Sequence, residues 1–568
     1  MSVFAPTGSN WQMVGAVYAD FAKEGHIEMD EGQGVLVNSP QDDARENIHT
    51  KWEHGDLELE LDVLMPKGSN SGIYFQGRYE VQLLDSWNIA VPAHKDMGGI
   101  YQQWDETKPD GEKGFGGIPP RINAARSPGL WQHFHIFFRA PRFDDNGNKI
   151  RDARFDYVYL NGVLLHEKIS VSGPTRAHQL DGEAALGPLF FQGDHGSVAF
   201  RNIRYKTYGI DTLSLSNLQY RSYTGRWDHL PKFDSLKPFK EGTSDYIDIQ
   251  NASETPNDFG VTFSGDLNIP TTGRYLFELE ADDRAALIID TQMVALDNEK
   301  GGNKVVGLAD LMAGKLPFKL RYQQERGRSG LHLRYEGPEI SWRSLAKPPA
   351  EETVRKQQDP IWIEVGEQPE MVRGFVMHAD EKLTHTISVG TPQGIHFSYN
   401  LNQGALVKAW KGGFANVTNM WQGRGASQLL LPLNAAIQAP NLSSIAVIDE
   451  GTNWPDSAKH LQYLGYDLGE DQMPIFRFRM DEMRMSDRML ISEGKLKRQI
   501  SVEGEGSTDV QLLLASALAI IQQPNGLFNI NGQYFIDTEM DAFIQNFADH
   551  SELRVNFSSD LASYELIW

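Results

Sequence analysis

The chain has 568 residues, of which 53 are Lys or Arg, 76 are Asp or Glu, and none is Cys. A net charge of −23 repels phosphate backbones and argues against nucleic acid as a partner. Zero cysteine removes disulfides, thiolate metal sites, iron–sulfur clusters and cysteine nucleophiles. The length and a hydrophobic share of 40% predict several folded domains. The longest apolar run, Leu512 to Ile521, falls well short of the ~20 residues that span a bilayer, so no membrane span is expected. The opening MSVFAPTGSN shows no basic segment followed by an apolar one, so no leader is legible; the expected location is periplasmic or secreted.

Along the chain, short alternating runs dominate. Leu57, Leu59, Leu61, Val63 and Met65 share one face, and Glu58, Glu60 and Asp62 share the other, as in a half-buried antiparallel strand. Similar runs occur at Tyr79–Leu84, 131–138, 155–160, 197–205, 274–280, 318–322 and 331–335. Amphipathic helices are scarce. Residues 508–522 read as helix or buried strand, and 541–548 as a short helix. Regular short strands with turn signals between them predict an all-β protein of sandwiches or barrels. Pro231 and Pro238 within irregular residues 209–239, and the polar, Pro-bearing 347–359, read as linkers. The plan is therefore three β-rich domains at 1–208, 240–346 and 360–568.

Within 71–87 the alternation puts Glu80, Gln82 and Leu84 on one strand face and Tyr79, Val81 and Leu83 on the other. A carboxyl and an amide would project together, into a cleft if the sheet is curved or into solvent if it is not. Asp194-His195, between Gly193 and Gly196 at a strand end, reads as an aimed acid–base pair or as a polar turn. Trp131, His133 and His135 share a face at metal-like spacing, a pattern more common in packing and surface residues.

Ordered segments then carry a resemblance. They are SGIYFQGRYEVQLLDSW at 71–87, GIY at 99–101, NAAR at 123–126, APRFD at 140–144, NGV at 161–163, GPT at 173–175, GPLFFQ at 187–192, DHG at 194–196 and FRNI at 200–203. Together they resemble the 3-keto-disaccharide hydrolase family over nearly all of 1–208. That resemblance implies a concanavalin-like jelly roll and a glycoside or oligosaccharide substrate. One departure is Gly193, an apparent insertion that can shift His195.

Residues 215–345 resemble the carbohydrate-binding β-barrel of the protective-antigen type, through 263–268, 273–280 and ADDRAALIIDTQMVALDN. In that family an Asp-Asp pair binds calcium and sugar in some members, which points to Asp282 and Asp283, although Arg284 stands where Gly is usual. Residues 360–568 resemble a C-terminal β-rich extension of large bacterial proteins. They are expected to form a large β-sandwich, with the supersandwich as one form. Tyr399, Trp410 and Trp421 read as sugar platforms or, more commonly, packing.

The first resemblance implies a particular chemistry. A ketone at carbon 3 acidifies the hydrogen on carbon 2, and the anomeric substituent leaves by elimination; water can add back. The site needs a base, an electrophile for the enolate oxygen and a proton donor. His195 and Glu80 are the candidate base and acid, or the ligands of a divalent cation acting as electrophile. Gln82 would orient the sugar. Asp194, Tyr101, Asn123, Arg142 and Asp85 are further substrate-contact candidates. One rival is a retaining glycosidase using Glu80 and Asp85, which needs carboxyls ~5 Å apart and hence a β-bulge. Against it, Gln82 stands where laminarinase-like enzymes place a carboxylate. The other rival is a non-catalytic multivalent glycan binder.

Overall fold

The computed structural model describes residues 3–4, 8–144, 146–209, 211–299, 303–327, 329–347, 360–422, 427–449, 451–456, 461–504, 510–557 and 561–568. Most of the connector read at 347–359 lies outside the described residues. The described residues are nearly all β, with only two α-helical turns, Ile249–Ala252 and Thr418–Trp421, and one 3₁₀ turn at Phe233–Ser235. Two compact units emerge: Met1–Glu53, Glu58–Tyr205 and Pro360–Trp568 form one, and His54–Leu57 with Lys206–Asp359 form the other.

The N-terminal part of the first unit is a two-sheet sandwich. Its strands are β1 (Trp11–Tyr18), β2 (Glu28–Asn38), β3 (Ile48–His54), β4 (Asp56–Leu64), β5 (Asn70–Phe75), β6 (Tyr79–Leu84), β7 (Gln103–Trp104), β8 (Gly114–Phe115), β9 (Trp131–Arg139), β10 (Arg142–Phe143), β11 (Lys149–Arg151), β12 (Ala153–Leu160), β13 (Val163–Val171), β14 (Gly187–Phe191) and β15 (Val198–Tyr208). A seven-stranded sheet, β1-β2-β15-β4-β9-β12-β13, faces a four-stranded one, β3-β14-β5-β6. The alternation of β4 drives this packing, with Leu57, Leu59, Leu61 and Val63 fully buried. Aromatic rings knit the two sheets. Phe75 lies 5.1 Å from Phe138 and 5.3 Å from Phe155, and Phe191 lies 4.6 Å from Phe200.

The C-terminal part of the same unit is also a sandwich. Tyr399, from a five-stranded sheet, stacks at 4.1 Å on Phe476 of an eight-stranded sheet. Its hydroxyl donates to Asp487 at 2.6 Å, and Asp487 in turn holds the buried Arg498. Trp410 is fully buried and donates to Phe414 O. Tyr399 and Trp410 are therefore core residues, whereas Trp421 is 74% exposed. The short helix read at 541–548 is instead the strand Ala542–Asn546, paired with Ser551–Asn556. Eight residues are too few for a stable lone helix, and the hairpin supplies a hydrogen-bonding partner. In 508–522 the described residues form strands Gln511–Ala517 and Ile520–Gln522, the second of the two readings.

The second unit pairs a six-stranded and a four-stranded sheet around a core that includes Phe263, Tyr275, Phe277, Leu320 and Tyr335. Ser214–Thr224, inside the stretch read as connector, is a strand of the six-stranded sheet, paired along Phe259–Ile269. Its polar face masked the alternation.

The buried Asp487–Arg498 pair yields a stability prediction. Replacing Asp487 by Ala strands a guanidinium that also donates to Tyr564, Ser444 and Gly404. Breaking a buried pair from one side costs ~3–5 kcal/mol. Urea unfolding of Asp487→Ala should show that loss; an unchanged midpoint would refute the role given to the pair.

Candidate active site

β5 and β6 form a regular hairpin in which Tyr74 pairs with Glu80, Gly72 with Gln82, and Asn70 with Leu84. Directly paired residues share a face. One face, carrying Ile73, Phe75, Tyr79 and Val81, enters the core. The other presents Tyr74, Glu80 and Gln82, extended by Phe190 across from Tyr74. This is the face expected from the sequence, but it is not solvated: Glu80 is only 2% exposed. A glycine makes the room, since a Cβ at Gly72 would sit 2.2 Å from Glu80 Oε1.

Burial pushes the Glu80 carboxyl up to about 8; the Tyr74 hydroxyl donating to it opposes the shift, and the Asp194 carboxylate adds to it. Burial and the neighbouring Glu80 likewise raise Tyr74. Glu80 therefore carries a proton at neutral pH. Gln82 Nε2 donates to Asn70 Oδ1 at 2.7 Å, which orients its amide.

β6 is the last strand of its sheet, and two segments cover its free edge. Glu80 N donates to Thr175 Oγ1 at 3.1 Å, in the Gly-Pro-Thr segment. Along the same edge Tyr101 N donates to Glu80 O at 3.1 Å, Gln82 N to Gly99 O at 2.9 Å, and Gly98 N to Gln82 O at 2.8 Å. This places Tyr101 beside the pair, with His94 against its ring at 5.7 Å. Burial and Lys95 lower the His94 pKa.

His195 lies at the rim, its side chain 51% exposed, with Nδ1 2.6 Å from Asp194 Oδ1. The loop is strapped from both sides. Asn38 donates to Gly193 O and Gly196 O, Gly193 N donates to Asn47 Oδ1, and Arg45 donates to Asp194 O. At Gly193 a Cβ would lie 2.2 Å from Glu46 O, so the apparent insertion fits only as glycine.

Glu80, Gln82, Asp194, His195 and Tyr101 thus belong to one region, whereas Asp85 and Asn123 are engaged in holding turns. Asp85 accepts from Gly68 N and Trp87 N and caps a turn. With no register shift in the hairpin, the Glu80–Asp85 retaining pair is not assembled. Asn123 holds the carbonyls of Ser86 and Ile89. Arg142 donates to Ala140 O beside the β10–β11 ribbon. His133 and His135 pair with Asp62 and Glu58 on the outer face of the seven-stranded sheet, and Trp131 stacks under Arg201. Sequence reading missed Tyr74 and Asn70. Folding 71–84 about Gly77, with Gln76, Gly77 and Arg78 as the loop, would have set residue 74 opposite residue 80.

Neither candidate cation site gathers a ligand set: among the described residues, no three His, Asp or Glu side chains converge as metal ligands. In the second unit, Asp283 Oδ2 already accepts from Glu325 N at 2.6 Å, and Arg284 pairs with Glu325 alongside. Burial and Asp283 raise the Asp282 carboxyl. Calcium takes roughly six to eight oxygens, and these side chains alone do not supply them.

Residues 6–206 match the family model of the 3-keto-alpha-glucoside-1,2-lyase-like domain, and residues 240–347 match the PA14 domain. No curated protein matches the chain. Among solved structures, a protein from Parabacteroides distasonis ATCC 8503, provisionally described as a glycosyl hydrolase, is 25% identical. That match covers 35% of this chain and 79% of the other at a TM-score of 0.25. The A domain of epithelial adhesin 9 from Candida glabrata, in complex with Galb1-3GlcNAc, is 14% identical, covering 23% and 87% at a TM-score of 0.20. The PA14 domain of the MpAFP antifreeze protein is 18% identical, covering 25% and 92% at 0.19. A domain of a carbohydrate-active family thus precedes a PA14 domain, and the function is carbohydrate-related.

The buried carboxyl predicts a pH effect that an exposed one would not have. The folded-state pKa lies above the unfolded value, so the native state holds the extra proton. Its contribution is intact below about 4.5 and is lost as pH rises to about 8. Each pKa unit is worth about 1.4 kcal/mol, so the loss is on the order of a few kcal/mol. Glu80→Gln keeps the shape and has no proton to lose. Its melting temperature should exceed the parent's at pH 9 and match it at pH 5; parallel melting curves at both pH values would contradict the burial.

Proposed function

We propose that residues 6–206 cleave 3-keto-glycosides by elimination across carbons 1 and 2, with rehydration giving net hydrolysis. The observation that carries this reading is a protonated, buried carboxyl at the base of a face whose rim holds an Asp–His pair. The family match agrees with it.

Asp194 accepts the Nδ1 proton of His195 and leaves Nε2 as the acceptor. That nitrogen takes the carbon 2 proton, made acidic by the ketone. The electron pair moves through the enolate to expel the glycosidic oxygen, which takes the Glu80 proton. The products are the free alcohol and an unsaturated 3-keto sugar. Gln82, whose amide keeps one N–H beyond the bond to Asn70, supplies a donor for a sugar oxygen as charge develops, while the Tyr74 hydroxyl holds Glu80. Adding water back reverses the proton movements. Glu80, with a pKa near the working pH, can both give and regain its proton.

Turnover of 3-keto-trehalose, 3-keto-lactose and 3-keto-aryl-glucosides, with and without chelator, tests the assignment. Glu80→Gln and His195→Ala should each lower kcat by ~10²-fold or more. The parent's kcat should fall as pH rises through about 8, when Glu80 loses the proton it must donate. Substrates left intact with divalent ions supplied would overturn the reading; glycan affinity without turnover would favour a binding protein.

A further inference from the structure

The loop Ser86–Tyr101 has two ends with different partners. Its C-terminal end forms a wall of the site through the bonds of Gly98, Gly99 and Tyr101 to the Gln82 and Glu80 backbone. Its base is tied by Met97 N donating to Ser86 Oγ at 2.9 Å and Ala93 N to Asp96 Oδ2 at 2.6 Å. The N-terminal end is gripped by residues more than 300 positions away in the C-terminal sandwich of the same unit. Trp87 Nε1 donates to Trp568 O at 2.7 Å, and Lys411 Nζ donates to Asn88 Oδ1 at 2.6 Å. The Lys411 ammonium also sits over the Trp87 and Trp568 rings, at 4.6 and 5.2 Å. Asn434 Nδ2 donates to Asn123 O at 2.7 Å, and Asn123 holds Ser86 O and Ile89 O. Beneath lies an apolar joint of Leu130 with Leu527, Phe535 and Ile567, packed against Phe21 and Trp87.

We infer that the C-terminal sandwich is part of the working site: Lys411, Asn434 and the Trp568 main-chain oxygen are positioning elements that fix the Ser86–Tyr101 loop beside Glu80 and Gln82. This rests on the site assignment made above. The grip is polar and directional, and it lands on the loop that walls the site. Lys411 is desolvated there, which pushes its pKa down to about 7. A joint serving cohesion alone is as well made of apolar groups of similar volume. Fixed geometry near reacting atoms matters more than cohesion, because displacement of about 1 Å can cost ~10²-fold in rate.

The test uses the full chain with two mild variants. Trp87→Phe keeps a ring over Lys411 and removes the N–H; Asn434→Ala removes the bond to Asn123. Hydrogen exchange should quicken by ~10-fold at the amides of Gly98 and Tyr101, while strand Gln511–Ala517 exchanges as in the parent. On a 3-keto-glycoside, kcat should fall by ~10-fold with the melting temperature held. Parent-like exchange at Gly98 and Tyr101 in both variants would overturn the positioning role, whatever the activity. If exchange quickens but the parent turns over no 3-keto-glycoside, the coupling stands and the chemical assignment falls. A lowered melting temperature with unchanged kcat and loop exchange would mean cohesion only, and would overturn the inference.

Discussion

A carboxyl cannot be buried in a β-sandwich without arrangements around it, and those made for Glu80 organise this part of the molecule. Gly72 vacates the space its side chain fills, Tyr74 donates to it, and two segments close the strand edge on which it sits. Each device has a cost. Gly72 gives up strand propensity, and the raised pKa takes stability away as pH rises. A sequence selected for stability alone would place an apolar residue there. In the proposed reaction the return is a carboxyl that still holds a proton to donate at neutral pH.

The edge strand explains the domain plan around the site. An uncovered edge exposes a row of donors and acceptors to any passing strand. Here the cover comes from the 98–101 and 173–176 segments, which also place Tyr101 and Thr175 beside Glu80. The same backbone bonds thus satisfy the sheet and wall the site. Because one covering loop is held by Lys411 directly and by Asn434 through Asn123, residues distant in sequence have a say in the geometry of the site.

Buried charge is used differently in the C-terminal sandwich and in the second unit. Asp487 and Arg498 form a saturated core network with Tyr399 and Tyr564, in which both charges are paired and further hydrogen-bonded. Arg284 and Glu325 are similarly buried and paired beside Asp282-Asp283.

Period-two alternation by itself determined the all-β class, the β4 core stripe and the shared face of Glu80 and Gln82, because side chains on a strand alternate whatever surrounds it. Ordered motifs carried the family of residues 6–206 and the PA14 likeness. Alternation could not say that the Glu80 face is covered, since the covering segments come from loops whose course depends on distant partners. Nor could it separate Asp85 and Asn123, which cap and clamp turns, from residues aimed at a ligand, because one polar residue type serves both uses. The helix read at 541–548 failed for a related reason: five residues follow their partner strand, not their own propensity. The protonation of Glu80, the pairing with Tyr74 and the clasp on Trp87 were decided only in three dimensions, where desolvation and proximity act between residues that no spacing in the chain connects.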